Sequence, residues 1–323
     1  MKPKVLVPPK WKRFEKALEI LRPIAEIEYI SKERFEEQLA EAEGMVDHGV
    51  NEEILRKAPK LKVVARYGVG YDDCDVEALT RHKVYLVYTP GVLSDAVADM
   101  TLGLILACNR QIVKADRYVR EGWAKGPSGY PDYGVDLKGK TIGIIGLGRI
   151  GYAVAKRCVK GFDMKVIYYD IRRNERAERE LGAERKSLEE VMRESDFVSI
   201  HLPLTPQTRG LIGEKYLRMM KKTAYLINTS RGKIVDQKAL TKVLSENLIA
   251  GAGLDVFEKE PIPPDDPLLK LENVVLTPHI ASLTKEARES MAICNAESIA
   301  AVLRGDVPPP HVVPEQEGLV FKK

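Results

Sequence analysis

Cysteine is scarce: four residues in 323, at Cys74, Cys108, Cys158 and Cys294, with no two close in sequence. That spacing excludes the usual zinc and dithiol motifs, so buried free thiols and no metal site are expected. Aromatic residues are few, and no block of lysine and arginine is interleaved with them. A surface that tracks a phosphate backbone, and with it a nucleic-acid partner, is therefore not expected. Long apolar runs are missing as well. The longest, around Leu102 to Cys108, falls far short of the roughly 20 residues of a membrane-spanning helix. The opening Met1-Lys2-Pro3-Lys4-Val5-Leu6-Val7 leads straight into a strand pattern without a signal-peptide core. A cytoplasmic protein with no membrane attachment is the expectation. The net charge of +4 is small for this length and suits anionic small molecules.

What the chain does have is length for two domains and a steady alternation of strand and helix patterns. Val5 to Val7, Ala25 to Ile30, Met45 to Val46, Leu61 to Ala65 and Val84 to Val87 read as strands, and Trp11, Phe14, Leu18 and Leu21 recur at helical spacing between the first two. After Thr89-Pro90-Gly91 a long helix is predicted from Ser94 to Arg110, with Ser94 or Asp95 as its cap. A second series of strands follows at Thr141 to Ile145, Lys165 to Tyr169, Phe197 to Ile200, Tyr225 to Asn228, Ala250 to Leu254 and Val274 to Leu276. Ser187-Leu188-Glu189-Glu190 reads as a capping box, and Thr284 to Arg304 as a final helix. Such alternation predicts an α/β protein with parallel sheets.

The strand at Thr141 to Ile145 runs into Gly146-Leu147-Gly148-Arg149-Ile150-Gly151, a G-x-G-x-x-G turn that opens a helix. Gly146 permits a tight turn, Gly148 lets a pyrophosphate approach the backbone, and Gly151 lets the helix pack on the sheet. The N–H groups and dipole of the helix start suit two phosphates, with Arg149 adding a charge and Ile150 completing the turn. Asp170 ends the next strand 19 positions after Gly151, where a carboxylate accepts from the adenosine ribose hydroxyls and repels a 2′-phosphate. NAD is therefore expected as cofactor. Arg172 and Arg173 follow at once and leave NADP as a minor alternative.

Three later segments, with Ala65-Arg66-Tyr67-Gly68-Val69-Gly70-Tyr71-Asp72 before the turn, carry a wider resemblance. They are Asn228-Thr229-Ser230-Arg231-Gly232, Gly253-Leu254-Asp255-Val256-Phe257-Glu258-Lys259-Glu260-Pro261 and Thr277-Pro278-His279-Ile280. In this order they resemble the D-isomer-specific 2-hydroxyacid dehydrogenase family over nearly the whole chain. The resemblance implies Arg231, Glu260 and His279 as the catalytic group, Glu260 being chosen over Glu258 because the family sets its acid directly before the proline. Reducing a 2-keto acid needs a hydride at carbon and a proton at oxygen. A histidine supplies the proton, a carboxylate favours the imidazolium, and an arginine grips the substrate carboxylate and polarises the carbonyl. The resemblance also implies cofactor contacts from Thr101, Leu202, Pro203, Thr208, Thr229, Ser230, Arg231, Asp255 and His279, and a substrate carboxylate held by the backbone N–H groups of Val69 and Gly70.

The fold this implies is two Rossmann-like or flavodoxin-like domains, one of residues 1–98 with 283–323 for substrate and one of residues 99–282 for NAD, with the active site in the cleft between them. A homodimer is a further family expectation. Tyr88-Thr89-Pro90-Gly91-Val92-Leu93-Ser94-Asp95-Ala96-Val97-Ala98-Asp99 resembles the glyoxylate and hydroxypyruvate reductases within the family. Arg66 matches a position from which phosphoglycerate dehydrogenases reach a phosphate, which makes D-3-phosphoglycerate dehydrogenase the second reading. An NAD-sensing binding protein, like the corepressor branch of the family, is a third, because that branch keeps the same Arg, Glu and His.

Overall fold

The computed structural model describes residues 2–47, 49–125 and 133–321. The chain folds as two compact units, residues 1–93 with 283–323 (unit 1) and residues 94–282 (unit 2).

Unit 1 is built on a five-stranded sheet: β1 (Lys4–Val7), β2 (Glu26–Tyr29), β3 (Ala42–Asp47), β4 (Val63–Arg66) and β5 (Tyr85–Val87). All pairs are parallel, in the order β2-β1-β3-β4-β5. Val5, Leu6, Val7, Val63, Val64 and Ala65 are fully buried, as expected for central strands covered on both faces rather than an alternating half-exposed sheet. The predicted first helix resolves into two pieces, a 3₁₀ turn at Pro9–Arg13 and a helix at Glu15–Leu21. Trp11, Phe14, Leu18 and Leu21 are buried all the same. The last helix, Lys285–Arg304, starts with Thr284 accepting from the Ala287 N–H and ends at Gly305 in the left-handed region. It packs on Glu15–Leu21 and on β3 and β4.

The edge of β5 is closed by the chain's own tail. Val87 and Val312 form an antiparallel bridge, and Gln316, fully buried, accepts from the Leu86 N–H at 2.7 Å and donates to the Val84 carbonyl at 3.0 Å. One side chain thus does for this edge what a neighbouring strand would do.

Unit 2 holds seven parallel strands: β6 (Thr141–Ile145), β7 (Lys165–Tyr169), β8 (Glu184–Arg185), β9 (Phe197–Ile200), β10 (Tyr225–Asn228), β11 (Gly251–Leu254) and β12 (Val274–Leu276). Their order is β12-β11-β10-β9-β6-β7-β8. The chain therefore reverses direction across the sheet between β6 and β9, the arrangement of a dinucleotide-binding sheet with its ligand crevice at that point. The long helix Ser94–Asn109 lies whole within unit 2, against β10, β11 and the helix Arg149–Phe162. The unit boundary accordingly falls after Leu93, not inside the helix at 98/99, since a continuous helix belongs to one body. Asp95 does not cap it: Arg157 takes both Asp95, at 2.9 Å, and Asp99, at 2.7 Å. Strand β8, two exposed residues long, carries no apolar pattern and is not predicted from sequence.

Cys108, Cys158 and Cys294 are buried, and burial pushes each thiol up to about 12. Cys74 is only partly buried, which corrects the expectation for it. Among the described residues no group of histidine, cysteine and carboxylate side chains is placed to hold a metal, and no single helix is long and apolar enough to cross a membrane. Replacing Gln316 by alanine leaves the Leu86 N–H and the Val84 carbonyl without their partner. The expected loss is about 3 kcal/mol of unfolding free energy, read as a lower urea midpoint with unchanged slope.

Candidate active site

The loops that follow β6, β7, β9, β10, β11 and β12 all emerge at one edge of the unit 2 sheet, because every strand is parallel. Gly146 stands first among them. Its φ of +94° lies in the left-handed region, and a Cβ there would come within 2.8 Å of the His201 carbonyl oxygen after β9. Only glycine serves at this crossing. Gly151 is equally constrained, since a Cβ on it would sit 2.2 Å from the Gly146 oxygen, whereas one on Gly148 would meet nothing within 4 Å. Gly148 therefore leaves open space over the start of the helix Arg149–Phe162, where it is the N-cap residue and no side chain caps the helix. Uncapped N–H groups beside a bare glycine fit a pyrophosphate.

Asp170 does two things at the end of β7. Its Oδ2 accepts from the Leu147 N–H at 2.8 Å and its Oδ1 from the Arg172 N–H at 3.0 Å, so it clamps the glycine turn. Two carboxylate oxygens offer about four acceptor positions, which leaves capacity for ribose hydroxyls. Asn174 helps by donating to the Leu147 carbonyl. Arg173 is held by Glu178 at 2.7 Å.

After β10 the buried Asn228 organises the next loop. Its Oδ1 accepts from the Ser230 N–H and hydroxyl, both at 3.0 Å, and its Nδ2 donates to the Arg231 carbonyl. Arg231 donates to the Ser230 carbonyl. Gly232 then backs onto the loop after β11, so closely that a Cβ would fall 1.9 Å from the Phe257 carbonyl carbon. This approach brings the segments of Arg231 and Glu260 together. Asn228 and Gly232 lie in a motif the sequence already singles out, but their roles depend on contacts made after folding.

Asp255, fully buried at the end of β11, is the hub of the following loop. Its Oδ1 accepts from the Thr277 hydroxyl at 2.6 Å and from the Ile280 N–H at 2.9 Å, and its Oδ2 accepts from the Ala281 N–H at 2.8 Å. The Asp255 carbonyl takes the His279 N–H at 2.8 Å. His279 itself has a φ of +54°, a conformation that non-glycine residues adopt only when their surroundings fix it. Its Nδ1 lies 2.7 Å from Glu260 Oε2, and Glu260 Oε1 accepts from the Phe257 N–H at 3.0 Å. Partial burial raises the Glu260 pKa, but the His279 hydrogen bond, the Phe257 N–H and the His279 and Arg231 charges outweigh it and hold the carboxyl below its ordinary 4.5. The His279 side chain remains about half exposed, at 48%.

The other expected contacts are placed as follows. Thr101 is fully buried, donating to the Val97 carbonyl and lying 2.9 Å from the Thr229 hydroxyl, so the two threonines tie the helix Ser94–Asn109 to the loop after β10. Leu202 abuts Gly146. The Thr208 hydroxyl accepts from the Thr205 N–H and donates to the Pro203 carbonyl, which shapes the turn after β9. In unit 1, Val69 and Gly70 belong to a loop held by Arg66, whose Nε donates to the Gly70 carbonyl at 2.7 Å and whose guanidinium pairs with Asp73 at 2.9 Å.

Residues 102–281 match the NAD-binding domain of the D-isomer-specific 2-hydroxyacid dehydrogenases. A glyoxylate reductase of Korarchaeum cryptofilum is 56% identical over 261 residues, covering 80% of this chain and 78% of that protein. One from Thermococcus onnurineus is 45% identical over 322 residues, covering 96% and 95%. Among solved structures, the NADPH-dependent glyoxylate/hydroxypyruvate reductase of Sinorhizobium meliloti, in complex with NADP and malonate, superposes with a TM-score of 0.86. It is 30% identical and covers the whole of both chains.

A parallel dinucleotide-binding sheet with a histidine–carboxylate pair at its loop edge defines an oxidoreductase that acts on CH–OH groups with a nicotinamide cofactor. The chain belongs to the D-isomer-specific 2-hydroxyacid dehydrogenase family.

Because the Glu260 pKa is lowered in the folded state, the stability it contributes is present above its ordinary value of 4.5 and is lost as pH falls through the lowered one. The stability difference between wild type and Glu260→Gln should therefore shrink as pH falls below 4.5. Urea denaturation of both proteins across this range measures it.

Proposed function

We propose that this chain reduces glyoxylate and hydroxypyruvate with NADH, with His279 as the proton donor in reduction and acceptor in oxidation. The observation that carries this reading is the 2.7 Å contact between His279 Nδ1 and Glu260 at the same sheet edge as the glycine turn. With Nδ1 engaged by the carboxylate, Nε2 is the ring nitrogen left to exchange a proton with the substrate oxygen. Arg231 grips the substrate carboxylate and polarises its carbonyl, and the N–H groups of Val69 and Gly70 bind the carboxylate. The bound dinucleotide supplies the hydride. Gly146, Gly148, Arg149, Ile150 and Gly151 hold its pyrophosphate, Asp170 its ribose, and Leu202, Pro203, Thr208, Thr229, Ser230 and Asp255 border it, with Thr101 setting Thr229 in place. The names of the archaeal relatives support glyoxylate.

NADH is preferred over NADPH because Asp170 stands where a 2′-phosphate would go, and Arg173, paired with Glu178, does not offset it. The Arg66 guanidinium, engaged by Gly70 and Asp73, argues against a phosphoglycerate role for that residue. Residues 1–93 with 283–323 serve as the substrate domain and residues 94–282 as the cofactor domain. We assign the protein to the cytoplasm as a homodimer. The helix Ile112–Glu121 buries none of its residues and leaves Ile112, Val113 and Val119 about half exposed, which supports self-association.

His279→Ala should lower kcat for glyoxylate reduction by about a thousandfold while leaving the NADH dissociation constant within a factor of about two. Fluorescence titration gives the second quantity. Tight NADH binding by the wild type with no turnover on any 2-keto acid favours the sensing reading instead. Asp170→Ser should shift the NADH to NADPH ratio of kcat/KM toward NADPH by about tenfold or more.

A further inference from the structure

Unit 1 carries a group of cations that nothing above uses. Lys10 Nζ lies 5.2 Å from the centre of the Tyr67 ring and the Arg288 guanidinium carbon 5.5 Å from it. Arg13 is near enough to both Lys10 and Tyr67 for its charge to act on each. Among the described residues no carboxylate pairs with Lys10, Arg13 or Arg288. The acids beside them are taken: Glu15 by Arg22, Glu289 by Lys16, and Asp73 by Arg66. Like charges gathered without a counter-ion repel one another, and unit 1 bears that cost at a defined place in its sheet. Lys10 and Arg13 sit directly after β1 and Tyr67 directly after β4, at the edge where the strand order β2-β1-β3 reverses. This is where open parallel sheets bind ligands.

A second observation points to the same spot. Trp11 Nε1, Thr89 Oγ1, Arg288 Nε and both amide atoms of Asn295 are buried without a hydrogen-bond partner. The Trp11 ring is 6.1 Å from Tyr67, the Thr89 N–H donates to the Gly68 carbonyl, and the Tyr67 hydroxyl donates to the Arg288 carbonyl. Three of these residues, Trp11, Thr89 and Arg288, thus contact Tyr67 or Gly68, one step from Val69 and Gly70. Burial and the charges of Arg288, Arg13 and Arg66 push the Lys10 amine below its ordinary range. Burial pushes the Tyr67 hydroxyl up to about 12, so it adds no negative charge to the group.

We propose that Lys10, Arg13 and Arg288, gathered around Tyr67, form an anion subsite of unit 1 that receives a second negatively charged group, carboxylate or phosphate, of a dianionic 2-keto acid. The substrate assignment rests on the 2-keto acid reading above, whereas the anion site itself does not. An anion there offsets three positive charges, and the exposed Lys10 and Arg13 are free to turn their donors onto it. A monoanionic acid such as glyoxylate has no group to place in it. Dianionic 2-keto acids therefore gain a contact that glyoxylate and hydroxypyruvate do not make, and are accepted beside them.

The test compares full-length wild type with the double variant Lys10→Gln/Arg13→Gln, two side chains on the surface of unit 1. Inorganic phosphate is titrated calorimetrically with NADH at saturation, so that the glycine turn is filled. The wild type should bind phosphate and the variant should bind it about tenfold or more weakly, the scale of one charged hydrogen bond. The KM for oxaloacetate divided by that for glyoxylate should rise by a similar factor, about tenfold. No phosphate binding by the wild type, or equal binding by both proteins, overturns the subsite. Weakened phosphate binding with an unmoved KM ratio overturns its assignment to substrate. Weakened phosphate binding in a protein that turns over no 2-keto acid supports the anion site and counts against the proposed reaction alone.

Discussion

The carboxylate of Asp255 is the constraint on which the reactive edge of unit 2 depends. It is fully buried, and it accepts from the Thr277 hydroxyl and the Ile280 and Ala281 N–H groups while its backbone carbonyl takes the His279 N–H. An unpaired buried carboxylate costs several kcal/mol; three donors remove that cost only if residues 277–281 keep one conformation. That conformation places His279 in the left-handed region. The strain in the histidine backbone and the satisfaction of the aspartate are two sides of one arrangement, and the Glu260 pair is built on top of it.

Glycine performs the matching task for the backbone. Gly232 lets the loop after β10 touch the carbonyl of Phe257 after β11, and Gly146 lets the loop after β6 cross the carbonyl of His201 after β9. Both are points where two loops from different strands converge on the same edge, and at both a single methyl group would collide with backbone rather than with a side chain able to move. Rigid strands thus set the approximate positions, and bare backbone allows the last ångström or two of approach.

Much of this was legible in the sequence, for identifiable reasons. Short runs rich in Val, Ile, Leu, Phe and Tyr mark β6, β7, β9 and β10 to the residue, because buried parallel strands are apolar on both faces. β8 has two exposed charged residues and no such composition. The Ser187 capping box reads directly because its partners lie three residues apart. Asp95, by contrast, looks like a cap and is taken by Arg157, 62 positions away. Arg66 resembles a phosphate-reaching position in sequence, and in the structure its guanidinium is engaged by Gly70 and Asp73, four and seven positions on, where it supports their loop. Local chemistry was readable and non-local partners were not. Gln316, which closes the edge of β5 from 230 residues away, has no local signal at all.

The same distinction separates the two histidines at the unit 2 edge. His201 and His279 both follow strands of one sheet, and composition cannot separate them. His201 is partly buried, lies 2.8 Å from the Ser199 hydroxyl, pairs with no carboxylate among the described residues, and burial pushes it down to about 3, which favours the neutral ring. His279 is half exposed and faces an ionised carboxylate at 2.7 Å. The first is a ring fixed to a hydroxyl, whereas the second, open to water and paired with a carboxylate, is the one proposed above as proton donor and acceptor. Environment rather than residue type distinguishes the two, and the environment of His279 is the one that Asp255 and Gly232 build around it.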